Sequence, residues 1–388
     1  MKKKTRKNHH LPREILEEIF NRVSLPIKTI TGCKNLTNLS EELSCIFSDS
    51  KFDESQSKQY NRPCILAYGN KDSKTKIDQF LLIEKTERKI LSTEFDVNFM
   101  ANHASTNLYF LDSCNGLLLL EDHDRRLLCV VNPLTQEFIS LPQSNNQVSK
   151  KGHKSYYALG YSTKSDKYKV VRLVGNLRDA QGGYYLEYYW HVEVLTLGTN
   201  KWRKIDGCDL VLQNGCIDEG PIMINGALYW LSHIGHRNEI VRFEIELEEF
   251  NLIQSPLNLG CLGYSLSSLN VVDNMLCVGI YETKRCNDSS HGMEMWVMNE
   301  NYGVWNIWKK NVVIYDNMNC VRKFKVIQVS ENKELLFIML VDALKLVYYD
   351  TTKRTAMEAR VCGIDKKMNG VVFSPNLRSI STCIKDVQ

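Results

Sequence analysis

One pattern recurs along this chain: an apolar strand, a polar turn and a second short strand. It reads FLLIEKTERKILS (80–92), LLCVVNPLTQEFISLP (127–142), VEVLTLGTNKWRKI (192–205), IVRFEIELEEFNLI (240–253), MEMWVMNENYGVWNIW (293–308) and KLVYYDTTKRTAMEA (345–359). The turns near Thr86, Thr135, Thr199, Glu248, Tyr302 and Thr352 follow one another at steps of 49, 64, 49, 54 and 50 residues. Further apolar strands precede each unit, among them CNGLLLLED (114–122), YYALGYS with YKVVRLV (156–174), MINGALYWLSH (223–233), NVVDNMLCVGIYE (270–282) and VIQVSENKELLFIMLV (326–341). Antiparallel strands repeating at this period predict a β-propeller, each repeat being one four-stranded blade. Six blades are expected. The segment NGVVFSPNLRSI (369–380) is expected to return beside PCILAYG (63–69) and close the ring, which removes exposed sheet edges. A two-sheet sandwich is the alternative.

The chain before residue 62 has another character. Leu11-Pro12 opens a helical segment, with Pro12 in the first turn, where its missing N–H leaves no partner unsatisfied. Ile15, Leu16, Ile19 and Phe20 then fall on one helical face. Glu14, Glu17 and Glu18 lie toward the positive N-terminal end of the helix dipole and Arg22 toward the negative end. Pro26 stops this helix. A helix so short must bury its apolar face on a partner, in this chain or another.

The pattern LPREILEEIF…LPIK resembles the F-box, the helical module that docks on the Skp-type adaptor of a cullin–RING ubiquitin ligase. The match weakens after Lys28: TITGCKNLTNLSEELSCIFSDSKF has a displaced Cys33-Lys34 and no Trp, and residues are inserted before Leu25-Pro26. The blade phrases CNGLLLL, VVNPLTQEFISLP, ALGYSTKSDKYKVVRL, INGALYWLSH and IVRFEIELEEF are similar to the F-box-associated domain of the plant F-box superfamily, over about residues 105–310. The resemblance implies a mainly β fold, a kelch-like six-bladed β-propeller preceded by a small all-α helical F-box module. The implied divisions are a basic tail (1–9), the F-box-like module and linker (10–55) and the F-box-associated propeller (62–388).

The implied function is that of a substrate-recognition subunit in an SCF-type ubiquitin ligase. Leu11, Pro12, Ile15, Leu16, Ile19, Leu25, Pro26 and Ile27 would bury apolar surface on the adaptor, and through it engage cullin, while the propeller binds an unidentified protein target. The alternatives are a propeller interaction module whose eroded F-box no longer engages the ligase, and a propeller enzyme.

Residue chemistry gives the enzyme little support. No G-x-S-x-G, G-x-x-x-x-G-K-[ST] or G-x-G-x-x-G occurs. His233, His236 and Glu239 have a spacing a metal could use, but read more simply as a hydrated turn, and Asp122-His123-Asp124 as a polar hairpin turn. No catalytic residue, metal or cofactor is expected. The net charge of +4 is smaller than the five Lys/Arg of residues 2–7, which argues against nucleic-acid binding. No apolar run reaches the ~20 residues of a membrane span. Thirteen cysteines without a C-x-x-C point to reduced thiols, hence to the cytoplasm or nucleus. The six tryptophans fall on strand phrases and read as blade core. GGYYLEYYW (182–190) reads as an aromatic loop whose Tyr184, Tyr185, Tyr188 and Tyr189 are candidates for target contact, on a rim shared with loops 143–155 and 283–292.

Overall fold

The computed structural model describes the chain between Cys64 and Ile384 apart from several connecting loops, the longest being 70–76, 101–106, 145–153, 179–186, 214–219, 257–263, 283–291, 300–306, 316–323 and 360–367. The expected helical module at 10–55 and the basic segment 1–9 lie outside the described residues.

Short apolar runs broken by turn residues become strands in chain order. Sheet 1 contains β1 (Cys64–Gly69), β2 (Gln79–Lys85) and β3 (Ile90–Asp96); sheet 2 is β4 (Leu108–Cys114), β5 (Leu117–Asp122), β6 (Leu127–Asn132) and β7 (Glu137–Ser140). Sheet 3 is built from longer strands, β8 (Lys154–Ser162), β9 (Lys167–Arg178), β10 (Glu187–Thr196) and β11 (Arg203–Gln213). Sheet 4 follows with β12 (Ile222–Ile224), β13 (Ala227–Ile234), β14 (Arg237–Glu244) and β15 (Glu249–Gln254). Sheet 5 comprises β16 (Tyr264–Val272), β17 (Met275–Glu282), β18 (Gly292–Asn299) and β19 (Ile307–Tyr315). Sheet 6 is β20 (Phe324–Val329), β21 (Leu335–Leu340), β22 (Lys345–Asp350) and β23 (Thr355–Ala359). Then β24 (Asn369–Phe373) returns to sheet 1 and pairs antiparallel with β1, Cys64 opposite Phe373 and Tyr68 opposite Asn369. A short helix, α1 (Ile380–Ile384), ends the described chain.

Six separate four-stranded sheets replace the two that a sandwich would have. Each touches the next in sequence: β4 meets β8, β11 meets β13, β13 meets β16, β16 meets β20 and β20 meets β24, while Ile77 bridges to Leu108 between sheets 1 and 2. This is the arrangement of a β-propeller, with β24, β4, β8, β12, β16 and β20 innermost.

Stacking sheet on sheet explains why the middle strands are apolar on both faces. In the LLLL run of β5, Leu118 and Leu120 pack with Leu66, Phe80, Leu82 and Phe373 of sheet 1. Leu117 and Leu119 pack with Leu159, Val170 and Leu195 of sheet 3. Between sheets 3 and 4, Trp190, Val192, Trp230 and Phe243 share one core, and Tyr229, Ile240, Leu276 and Val278 fill the space between sheets 4 and 5. Each such fully buried side chain contributes on the order of 1.5–3 kcal/mol.

The turns are built by side chains. Asn132 Oδ1 accepts from the amides of Leu134 (3.0 Å) and Thr135 (3.2 Å), and Asp350 Oδ1 accepts from Thr352 (3.0 Å) and Lys353 (2.8 Å) in the corresponding turn of sheet 6. All six residues marking the sequence repeat lie between the third and fourth strands of successive sheets. The long step of 64 spans sheet 3, whose four strands run to 9, 12, 10 and 11 residues.

Candidate interaction surface

Strand parity sorts the connections between two ends of the molecule. With four antiparallel strands per sheet, every turn joining first to second or third to fourth strand falls at one end. Every second-to-third hairpin and every sheet-to-sheet connection falls at the other.

The first end carries tight turns. Left-handed backbone is concentrated there, at Asn115 (φ 44°), Gly116 (φ 79°), Gln136, Asp166, Gly198, Asn225 (φ 48°), Gly226 (φ 77°), Glu248 and Asn274. Side chains tie adjacent turns together. Asn274 Nδ2 donates to Asn225 Oδ1 at 2.8 Å, and the Glu248 carboxylate receives Lys169 Nζ at 2.8 Å and Arg203 at 2.7 Å. β1 begins at this end, so residues 1–63 join the propeller here. The eight expected adaptor contacts, Leu11, Pro12, Ile15, Leu16, Ile19, Leu25, Pro26 and Ile27, lie outside the described residues.

The second end gathers the longer connections, residues 70–78, 97–107, 141–153, 179–186, 214–221, 255–263, 283–291, 316–323 and 360–368. The three loops expected to share a rim are all attached at this end. Their tips, with Tyr184 and Tyr185, lie outside the described residues. Tyr188 and Tyr189 do not: the expected loop 182–190 is strand from Glu187 onward. Tyr188 stands opposite Leu177 and Leu212, and Tyr189 opposite Asn176 and Val211. Backbone pairing on both sides overrides the glycine signal at 182–183.

The turn 123–126 at this end is fully described. Asp122 Oδ1 accepts from Arg125 N at 3.1 Å, Asn107 Nδ2 donates to Asp124 Oδ1 at 2.9 Å, and His123 N donates to Asn107 O at 3.1 Å. The polar hairpin turn expected from EDHDRR is what forms, and it presents His123, Asp124, Arg125 and Arg126 to solvent.

Polar groups inside the propeller pair across strands of one sheet or serve the joints between sheets. Arg172 of β9 and Glu193 of β10 form a buried ion pair at 2.9 Å, with Ser144 Oγ donating to Glu193 at 2.9 Å and the guanidinium lying over the Tyr157 ring. Asp112 of β4 accepts from Leu159 N of β8 at 2.8 Å and from Ser113 N at 2.8 Å. Burial pushes the Asp112 carboxyl up to about 7, against the two backbone hydrogen bonds and Lys325, which lower it. Asn270 holds the matching place in sheet 5, its Oδ1 accepting from Val326 N of β20 at 2.8 Å.

Sequence reading missed these groups. The available signal was a charge inside an apolar strand run, Arg172 in KVVRLV and Glu193 in HVEVL. Of the tryptophans, Trp190 and Trp230 are core. Trp202 Nε1 donates to Pro142 O at 2.7 Å, Trp296 Nε1 donates to Glu294, and Trp305 lies outside the described residues. Cys64, Cys114, Cys129, Cys277 and Cys383 are buried, and burial pushes the Cys64 and Cys114 thiols well above the usual range. Among the described residues no three His, Cys, Asp or Glu side chains converge as metal ligands; His233 pairs with Asn238 in the β13–β14 hairpin.

Residues 65–383 match the F-box associated beta propeller domain family. The chain is 25% identical over 385 residues to F-box protein CPR1 of Arabidopsis thaliana, covering 90% of this chain and 84% of that protein. It is also 25% identical over 316 residues to an Arabidopsis thaliana F-box/kelch-repeat protein, covering 76% of this chain and 70% of that one. A solved oligogalacturonate lyase from Vibrio parahaemolyticus covers 78% of this chain at 8% identity and a TM-score of 0.40, too loose a likeness to bear on chemistry. With its match running over most of its length, this chain belongs to the F-box associated beta propeller domain family.

Proposed function

We propose that the protein is the substrate-recognition subunit of an SCF-type ubiquitin ligase. The reach of its likeness to an F-box protein supports this most directly. Ninety per cent of the chain is covered, more than residues 64–388 alone can supply, so the likeness extends beyond the propeller into residues 1–63.

In this reading residues 10–55 form the F-box module. Leu11, Pro12, Ile15, Leu16, Ile19, Leu25, Pro26 and Ile27 dock on a Skp-type adaptor, which links the chain to cullin. The six sheets are the blades of a six-bladed ring that binds a protein target. Residues 1–63 join at the tight-turn end, so the adaptor lies at that end and the long connections at the other face the target. Tyr184 and Tyr185 are the aromatic contacts best placed by chain position for that role, with one of Tyr188 and Tyr189 beside them. The chain positions two proteins and performs no covalent chemistry. The cytoplasm or nucleus is where such a ligase works, and the free, buried thiols of Cys64, Cys114 and Cys129 suit a reducing compartment.

The altered segment TITGCKNLTNLSEELSC favours a second reading, in which the propeller binds its target without the ligase. Co-expression with a Skp-type adaptor, followed by size-exclusion chromatography, separates the two. The first reading expects a stoichiometric complex that the Leu16→Asp, Ile19→Asp double variant loses, since two charges would enter an apolar interface. A folded wild-type chain that elutes without adaptor would establish the second.

A further inference from the structure

We infer that the segment following β24 is a releasable latch, which clamps sheets 2 and 3 at the tight-turn end independently of the strand that closes sheet 1. β24 ends at Phe373, and the chain then crosses the first turn of sheet 2. There Asn376 lies so close to Gly116 that a Cβ on Gly116 would collide with both its backbone and its side chain. Gly116 also has φ 79°, so glycine is required twice over.

The crossing is held by polar contacts from the second turn of the same sheet. Asn132 Nδ2 donates to Asn376 O at 3.1 Å, while its Oδ1 builds the turn described above. Beyond it, the Glu137 carboxylate takes the Ser379 hydroxyl at 2.8 Å and the Ile380 amide at 2.7 Å. Thus one carboxylate receives both groups that start α1. The helix then seats Ile380 and Cys383, 1% and 5% exposed, in the core shared by Leu117, Leu119 and Val130 of sheet 2 and Leu159, Tyr168 and Leu195 of sheet 3.

These contacts are local and distinct from the β24–β1 ladder, so breaking them leaves that ladder intact. Tyr168 Oη donates to Asn115 O at 3.3 Å across the same joint. The latch acts where residues 1–63 join, and its closure governs how firmly sheets 2 and 3 are held beside that junction.

Hydrogen exchange of the full-length chain, resolved by segment, tests this with Glu137→Ala and, separately, Ile380→Asp. Both variants should speed exchange in residues 115–117 and 134–141 by about tenfold or more, as expected for a local opening, and leave β16–β19 of sheet 5 unchanged. Three results would overturn the latch. These are exchange at the wild-type rate in both variants, a rise confined to 376–384 while sheet 2 stays protected, and an equal rise in all six sheets. The last would make the segment an integral part of the fold.

Discussion

Replacing Glu193 with alanine is expected to destabilise the protein by about 3–5 kcal/mol, because Arg172 would be left buried without its counter-charge. The two side chains are 8% and 2% exposed and meet at 2.9 Å. Water cannot enter freely to solvate the orphaned guanidinium, and Ser144, which donates to Glu193, would lose its acceptor too. The pair itself is a different quantity. Changing both residues to apolar ones of similar volume, Arg172→Met with Glu193→Leu, should recover most of the loss, since burying two charges costs nearly what their attraction returns. Denaturant unfolding of the two single variants and the double variant measures both. If Glu193→Ala costs under about 1 kcal/mol, the pair behaves as a solvent-exposed one and its burial is not as described. By contrast, Arg203 is half-exposed beside Glu248, and its removal should cost no more than about 1 kcal/mol.

Stability should also fall as pH rises from about 4 to about 7, through Asp112 alone. Its carboxyl is held up near 7 in the folded protein against an ordinary value of 3.8. The folded chain therefore binds the proton more tightly than the unfolded chain across that window. Raising the pH removes a proton the fold prefers to keep, so the contribution of Asp112 is most favourable below the lower value and lost above the upper. Three units correspond to about 4 kcal/mol at most. Among the described residues, Lys325 from β20 is the charge acting on the carboxyl and favours ionisation, while the Cys114 thiol on its own strand stays uncharged in this window.

Asp112→Asn should flatten the slope of stability against pH in that window. It keeps an acceptor for Leu159 N, as Asn270 does for Val326 N in sheet 5. Unfolding free energies at intervals from pH 4 to 8 decide the matter, and an identical slope in both proteins would mean that Asp112 is ionised throughout.

What could be read from the chain, and what could not, follows from the range of the interactions. The repeat was legible because Asx turns such as that of Asn132 are local, and because LLLL reports burial on both faces. The return of residues 369–373 to β1 was legible as the strand needed to complete a sheet. The Asp112 bracket was not legible, because its partner lies 47 residues away on another sheet and no local pattern encodes the meeting. The stretch 187–190 was misread for the opposite reason: Gly182-Gly183 suggested a loop, but pairing with both β9 and β11 carries β10 beyond it. At the end that gathers the long connections, topology fixes which loops meet, while their tips, with Tyr184 and Tyr185, lie outside the described residues.

The insertion of β24 beside β1 has a consequence for synthesis. Cys64 Sγ donates to the carbonyl of Phe373, 309 residues further along the chain. Sheets 2 to 6 can form as the chain leaves the ribosome, but sheet 1 waits with β1 unpaired on its inner edge until residues 369–373 emerge. The apolar strand CILAYG is thus an open edge for most of translation, and pairing over so long a separation is slow. A chain released before residue 369 would keep that edge permanently, which makes late truncations an aggregation hazard out of proportion to the few residues they remove.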